Sequence, residues 1–317
     1  ADALAAVIRA IDAGIGGERA ISVLDKLVAV EQTRVSAANV LVSLHASLGN
    51  GDNEAAALAV LIDSTSERGA RLELLARLIE VYEVKLDEAG RALDVVLTAL
   101  TEFPEELAFW DKAAELASAS KRATDLAEGY KRTLAAETAL PDAVEVDLCE
   151  RTASLLDEQL GDQDGAIPYL ERVLAKQPAN DRAFIRLKQI LTARERWADL
   201  EALYGRAVTG TTNPERRVEL LAEVAIICEE IIENPAKAID YYERILDIDS
   251  LHVTAISALE KLYASENRFE KLVSLLDRRL ATATQAETIE IKLRLGSLNM
   301  DQLHMPESAL PHVEDVL

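Results

Sequence analysis

The sequence predicts an all-α solenoid, a stack of helix–turn–helix units, and three observations carry that prediction. The composition is rich in helix formers and poor in the residues that strands and turns consume. A small residue recurs along the chain at a nearly fixed interval. A second marker recurs half-way through each interval.

Of 317 residues, 49% are hydrophobic, so there is ample material for a buried interior. Aromatics make up only 4%, and there are just 13 Gly and 8 Pro. Strands favour aromatic and β-branched residues, while Ala, Leu, Glu, Lys and Arg favour helices. The formal charge is −22, from 56 acidic and 34 basic side chains. Such a surface repels phosphate backbones and anionic headgroups, which argues against nucleic acid and membrane as partners. The same charge serves solubility, and it also suits a basic partner. No apolar run approaches the roughly 18 residues that a membrane span needs. Cys149 and Cys228 are the only cysteines, too few for a disulfide framework.

Along the chain, the opening ADALAAVIRAIDAG carries Asp2, Arg9 and Asp12 at helical spacing, which reads as a helix rather than a signal peptide. The repeat starts at Ala20 and continues at Ala92, Ala166, Ala238 and Ala309, with spacings of 72, 74, 72 and 71. An apolar residue follows each: Ile21, Leu93, Ile167, Ile239 and Leu310. Leu126, Leu200 and Leu272 each stand 34 residues after an Ala of the series, so every long period holds two units. That gives eight to nine units in a single solenoid over residues 1–317. The chain lacks an initiator Met, and SALPHVEDVL stops inside what should be a second helix. The expectation is a fragment of a longer protein, because a finished solenoid closes on a polar capping helix.

A small residue opening the second helix lets the two helices of a unit approach closely. Asp87, Asp162, Asn234 and Ser308 stand just before second helices, where short polar side chains cap exposed N–H groups. Gly161, Asn180 and Asn213-Pro214 read as helix stops.

At these residues the chain resembles the tetratricopeptide repeat family. That family's pattern wants an aromatic early in the first helix, a small residue opening the second, an aromatic four later, and a closing Pro. Trp110, Phe184 and Ile256 fall at the first position, and Ala92, Ala166 and Ala238 at the small one. Tyr130 and Tyr204 stand four after the half-way markers, and Pro104 and Pro178 twelve after their Ala. Ser250 replaces the closing Pro in the third copy, and alternate units have one residue more in the turn between their helices. The resemblance implies a right-handed superhelix that binds protein or peptide partners.

The search for chemistry is negative. His45, His252, His304 and His312 lack the helical spacing of a metal site and read as surface or loop residues. Shifted by one long repeat, Cys149 falls on Leu75 and Leu221, and Cys228 on Tyr82 and Leu156, so both read as core. Trp110 reads as core and Trp197 as a packing residue. No phosphate-binding, dinucleotide, zinc-protease or hydrolase motif occurs. Neither an enzyme nor a bound cofactor or metal is expected.

One segment departs from the acidity. Between Asp181 and Arg196 stand Arg182, Arg186, Lys188, Arg194 and Arg196. They read either as a solvated face balanced by Glu171, Asp199 and Glu201, or as a docking spot for an acidic segment, since Arg grips carboxylates bidentately. Family geometry places Arg182 and Gln189 on the concave groove with Arg186 beside them. Arg182, Arg186, Gln189 and Arg151 are the candidate partner-binding residues. Arg182 and Arg186 match half of the family's clamp for a C-terminal carboxylate, but Asp111 and Glu115 invert the charge of the other half.

The expected function is a scaffold or adaptor, and its alternative is a regulatory or sensor domain of a larger enzyme or transcription factor. RNA recognition by a helical repeat would need a basic groove that this charge opposes. The Ala-rich, acidic, long-period style resembles large bacterial repeat proteins of motility, polarity and envelope complexes. That likeness implies a small GTPase or a pilus component as partner, and a cytoplasmic location with the periplasm left open.

Overall fold

The computed structural model describes residues 2–13, 17–136, 139–280 and 283–314. Every regular element among these residues is helical, and there are eighteen α-helices. The chain divides into two compact units, Ala1–Arg172 and Val173–Leu317, and the division falls within one helix.

The first unit holds α1 (Asp2–Asp12), α2 (Gly17–Val28), α3 (Arg34–Leu48), α4 (Gly51–Ser64), α5 (Arg68–Glu80), α6 (Ala89–Glu102), α7 (Leu107–Ser120), α8 (Ala123–Ala135), α9 (Asp142–Ser154) and the start of α10 (Gln163–Lys176). The second holds the rest of α10, then α11 (Asp181–Ala193), α12 (Trp197–Gly210), α13 (Pro214–Ile226), α14 (Pro235–Ile248), α15 (Val253–Ser265), α16 (Phe269–Leu280), α17 (Gln285–Ser297) and α18 (Pro306–Glu314). Odd-numbered helices open a helix pair and even-numbered helices close it. Within each unit, consecutive helices pack on one another, α3 on α4 and α6 on α7 in the first, α13 on α14 and α14 on α15 in the second.

The repeat columns are the core columns. Ala20, Ala92, Ala166, Ala238 and Ala309 are all buried, as are Leu126, Leu200 and Leu272. With only a methyl group at the Ala positions, the two helices of a pair can approach closely. The aromatic column makes ring contacts: Trp110 stacks on Tyr130 with centroids 4.8 Å apart, and Phe184 meets Tyr204 edge-on at 5.4 Å. Trp110, 1% exposed, also donates from Nε1 to the Pro104 carbonyl at 2.9 Å. The Pro of the repeat pattern thus ends one unit and accepts from the next. Cys149 and Cys228 are buried. Burial pushes the Cys228 thiol up to about 11, as an apolar environment should.

The extra residue in alternate units has a specific form. The helices α5, α9, α13 and α17 each continue into a single π turn, at Val81–Lys85, Leu155–Gln159, Ile227–Ile231 and Leu298–Gln302. A π turn takes up one added residue without breaking the helix. The next residue but one lies in the left-handed region: Asp87, Gly161, Glu233 and His304 have φ between 54° and 67°. There Glu88 N–H donates to Tyr82, Asp162 to Leu156, Asn234 to Cys228 and Met305 to Asn299, each across six residues. In the intervening units the left-handed residue is Gly49, Lys121, Glu195 or Asn267, and the matching bond spans five. Both are left-handed helix caps, one residue apart in ring size.

Several expectations are corrected. Asp87 is the left-handed residue itself, and the cap position behind it holds Glu88, whose side chain makes no capping bond. Ser308 lies inside α18. Asp162 and Asn234 do cap, accepting from Gly165 at 2.9 Å and Lys237 at 3.1 Å. Asn180 and Asn213 begin helices rather than stop them, because each accepts from N–H groups of the helix that follows. His45 is buried at 4% exposure, in the column of Ala117, Leu191 and Tyr263. Leu310 is 54% exposed, whereas Leu93 and Ile239 in its column are buried. Leu317 lies outside the described residues.

Candidate partner-binding surface

The basic segment forms α11. Asn180 starts the helix by accepting the Ala183 N–H at 3.0 Å. Ala183, Phe184, Leu187, Ile190 and Leu191 then turn inward at helical spacing and are buried. That leaves Arg182, Ile185, Arg186 and Gln189 on the opposite face. Residues three and four apart lie over one another there. Arg186 Nη1 stands 3.5 Å from Gln189 Oε1, and Arg182 and Gln189 are exposed. The structure therefore brings three of the four candidate residues onto one helix face.

Ile185, 49% exposed, sits between the two arginines and completes that face. Its column holds Asn39, Asp111 and Ser257, all polar, so an isoleucine here departs from the repeat's own usage. Register comparison would have found it. An exposed branched apolar side chain flanked by guanidinium groups offers a partner both area and charge.

The other cations of the segment are engaged within the fold. Lys188 Nζ lies 2.6 Å from Glu223 Oε2 on α13, and the Tyr204 hydroxyl donates to the same oxygen at 2.6 Å. Burial alone would raise the Glu223 carboxyl, but the hydrogen bonds from Lys188 and Tyr204 outweigh it and hold the group below its usual range. Burial, then the bond to Glu223, drives the Tyr204 hydroxyl far up, so it stays a donor. Arg196 pairs with Asp199 at 2.7 Å, as the balanced-face reading has it, whereas Glu201 pairs with Lys237 at 2.6 Å. Arg216 bridges from α13 to Asp181 at 3.6 Å and to Glu219 at 2.9 Å.

Arg151 stands apart from the other three. It lies on α9 in the first unit, with Nε 2.6 Å from Asp147 and Nη1 2.6 Å from Asp111. Burial opposes its charge, yet the two aspartates more than compensate and raise its pKa. Glu115, the other residue of the inverted clamp half, pairs with Lys112 at 3.0 Å.

Of the histidines, His252 accepts the Ala255 N–H at the start of α15, and His304 is a left-handed cap residue. No group of three or more His, Cys, Asp or Glu among the described residues is placed to hold a metal ion. No described helix is long and apolar enough to cross a membrane.

Residues 255–290 match the family model described as tetratricopeptide repeat. No curated protein matches the chain. Solved structures similar to it include YrrB, described as a TPR protein with an unusual peptide-binding site. It is 16% identical over 58% of this chain and 90% of its own, with a TM-score of 0.31. A tetratricopeptide repeat protein of Parabacteroides merdae is 14% identical over 88% of this chain and 99% of its own, TM-score 0.31. The PilF protein of Pseudomonas aeruginosa is 13% identical over 72% and 91%, TM-score 0.29.

Proposed function

We propose that this tetratricopeptide repeat protein is a non-catalytic scaffold that holds a partner protein or peptide, and that the outward face of α11 is one of its contact surfaces. The observation that carries the reading is the grouping of Arg182, Ile185, Arg186 and Gln189 on a face the core does not use. Lys188 and Arg196 serve the fold by pairing with Glu223 and Asp199, and Arg182 lies exposed beyond them. The matching partner is an acidic segment with an apolar residue to set against Ile185. Arg151 is the remaining candidate contact. Its guanidinium is already shared by two aspartates, which suits it to a partner group that displaces one of them.

A bacterial motility, polarity or envelope assembly, with a small GTPase or a pilus component on this surface, is the setting that the acidic, alanine-rich repeat style suggests.

The test is affinity capture followed by mass spectrometry, with the wild-type chain beside Arg182→Glu/Arg186→Glu. Loss of a specific partner from the charge-reversed chain, with its helicity intact, supports the reading. Unchanged capture removes the α11 face from it and leaves a scaffold that binds elsewhere.

A further inference from the structure

In the second unit, two ion pairs occupy the same place in successive long repeats with their charges exchanged. Lys188 on α11 pairs with Glu223 on α13 at 2.6 Å. One long repeat later the position of Lys188 is held by Glu260 on α15, and that of Glu223 by Arg294 on α17. Glu260 Oε2 and Arg294 Nη1 are 2.9 Å apart. The first pair is base then acid, and the second is acid then base.

We infer that this exchange fixes the order in which the helix pairs stack. A repeat chain is prone to a particular error, because each helix pair presents nearly the same apolar surface to its neighbour. The helix α17 could dock on α11, within one chain or between two copies, and α13 could likewise take the place of α17 against α15. Apolar columns would tolerate either mistake, since the buried residues correspond. The charges would not: the first error sets Arg294 against Lys188, and the second sets Glu223 against Glu260. Like charges brought together discriminate against wrong partners more strongly than the correct pair adds to stability.

The surroundings sharpen the penalty. The Tyr204 side chain is buried, and its hydroxyl donates to Glu223. With Arg294 in that place the hydroxyl would lose the carboxylate it donates to and would have to turn to accept. Glu260 is itself buried and also bonded to Arg279, so a second carboxylate beside it would be only partly screened by water.

The first unit uses the same column differently. Arg77 and Arg151 correspond to Glu223 and Arg294, and they find their acids off the Lys188 position. Arg77 pairs with Glu54 on α4 at 3.0 Å, and Arg151 with Asp111 on α7 at 2.6 Å. The four stacking steps that bring in α5, α9, α13 and α17 therefore each carry their own ionic pattern over a common apolar one.

The test inverts the first pair. In Lys188→Glu/Glu223→Lys the correct ion pair survives with reversed polarity, the Tyr204 hydroxyl turning to accept from the introduced ammonium group, but both wrong contacts become attractive. In Lys188→Gln/Glu223→Gln the correct ion pair is lost while the wrong contacts become neutral. After dilution from denaturant, the fraction recovered as monomer by size exclusion should fall several-fold for the inverted chain and stay near wild type for the neutral one. An inverted chain that refolds as well as wild type overturns the inference. So does a neutral chain that fails as badly as the inverted one, because the pair would then matter only as a local contact.

Discussion

The Glu54 carboxylate lies 2.6 Å from the Lys85 ammonium, with Glu54 itself only 1% exposed. Arg77 completes the group at 3.0 Å from the other carboxylate oxygen. In the repeat register Glu54 stands where Leu126, Leu200 and Leu272 stand in later units. A charge has replaced a core leucine, and the two cations reach it from half-exposed positions.

Replacing Glu54 by Leu should therefore cost less than about 1 kcal/mol or stabilise, since an apolar residue of similar volume commonly matches a buried ion pair. Arg77 and Lys85 can turn to water. Glu54→Ala leaves a void and should cost about 2 kcal/mol. Urea unfolding midpoints decide it, and equal losses for the two variants would contradict the column argument.

The same group gives a pH dependence. Burial raises the Glu54 carboxyl, but the hydrogen bonds from Lys85 and Arg77 prevail and hold it below its ordinary value. A carboxyl depressed in the folded state stabilises at neutral pH, and that stability drains away as pH falls below about 4.3, the unfolded value. Melting temperature measured from pH 7 to pH 3 should fall less steeply for Glu54→Leu than for wild type. Parallel curves would remove Glu54 from the acid sensitivity.

The left-handed cap residues make a second kind of prediction. Lys121, Glu195 and Glu233 pay the steric cost of positive φ that Gly49 and Gly161 avoid. Lys121→Gly or Glu195→Gly should stabilise by up to about 1 kcal/mol, while Gly161→Ala should destabilise by about 1 kcal/mol. A Cβ on Gly161 would meet no atom within 4 Å, so that loss would come from the backbone alone. Calorimetry on the three variants reads both signs.

Tyr204→Phe removes the hydroxyl that donates to Glu223 and should cost about 1–2 kcal/mol, because a hydrogen bond to a charged group is among the stronger kinds. Double-mutant analysis with Lys188→Met should show coupling, as both side chains meet the same carboxylate oxygen. Strict additivity would mean that the hydroxyl and the ammonium act independently.

A peptide ending in the C-terminal carboxylate motif of chaperones should not bind in the family's clamp mode, since Asp111 and Glu115 stand where that clamp has its other half. Asp111 is held by Arg151 and Glu115 by Lys112. Fluorescence anisotropy with such a peptide should show no saturable signal. Binding that disappears on Arg186→Ala would overturn the expectation.

What could be read from the sequence was whatever repeats. The Ala series, the paired aromatics Trp110–Tyr130 and Phe184–Tyr204, and both cysteines sit in the core because their columns are apolar. The exceptions to a column were harder. Glu54 in a leucine column and His45 in a column of Ala117, Leu191 and Tyr263 break a pattern whose local cause lies in three dimensions. The added residue in alternate units was visible, but its form as a π turn followed by a left-handed cap was not, because a longer loop would produce the same spacing. At the candidate surface, Arg182, Arg186 and Gln189 could be placed by helical period. The engagement of Lys188 by Glu223 could not, since 35 residues separate them.

The alternation of two cap geometries also sets the size of step by which such a protein can be edited. Removing one helix pair would join a five-residue closure to another of its own kind and disturb the phase of everything downstream. Removing four consecutive helices restores the alternation at the seam. Duplication, deletion or grafting should therefore succeed in blocks of about 72 residues, and a gene that lengthens by recombination would have that block as its natural coin.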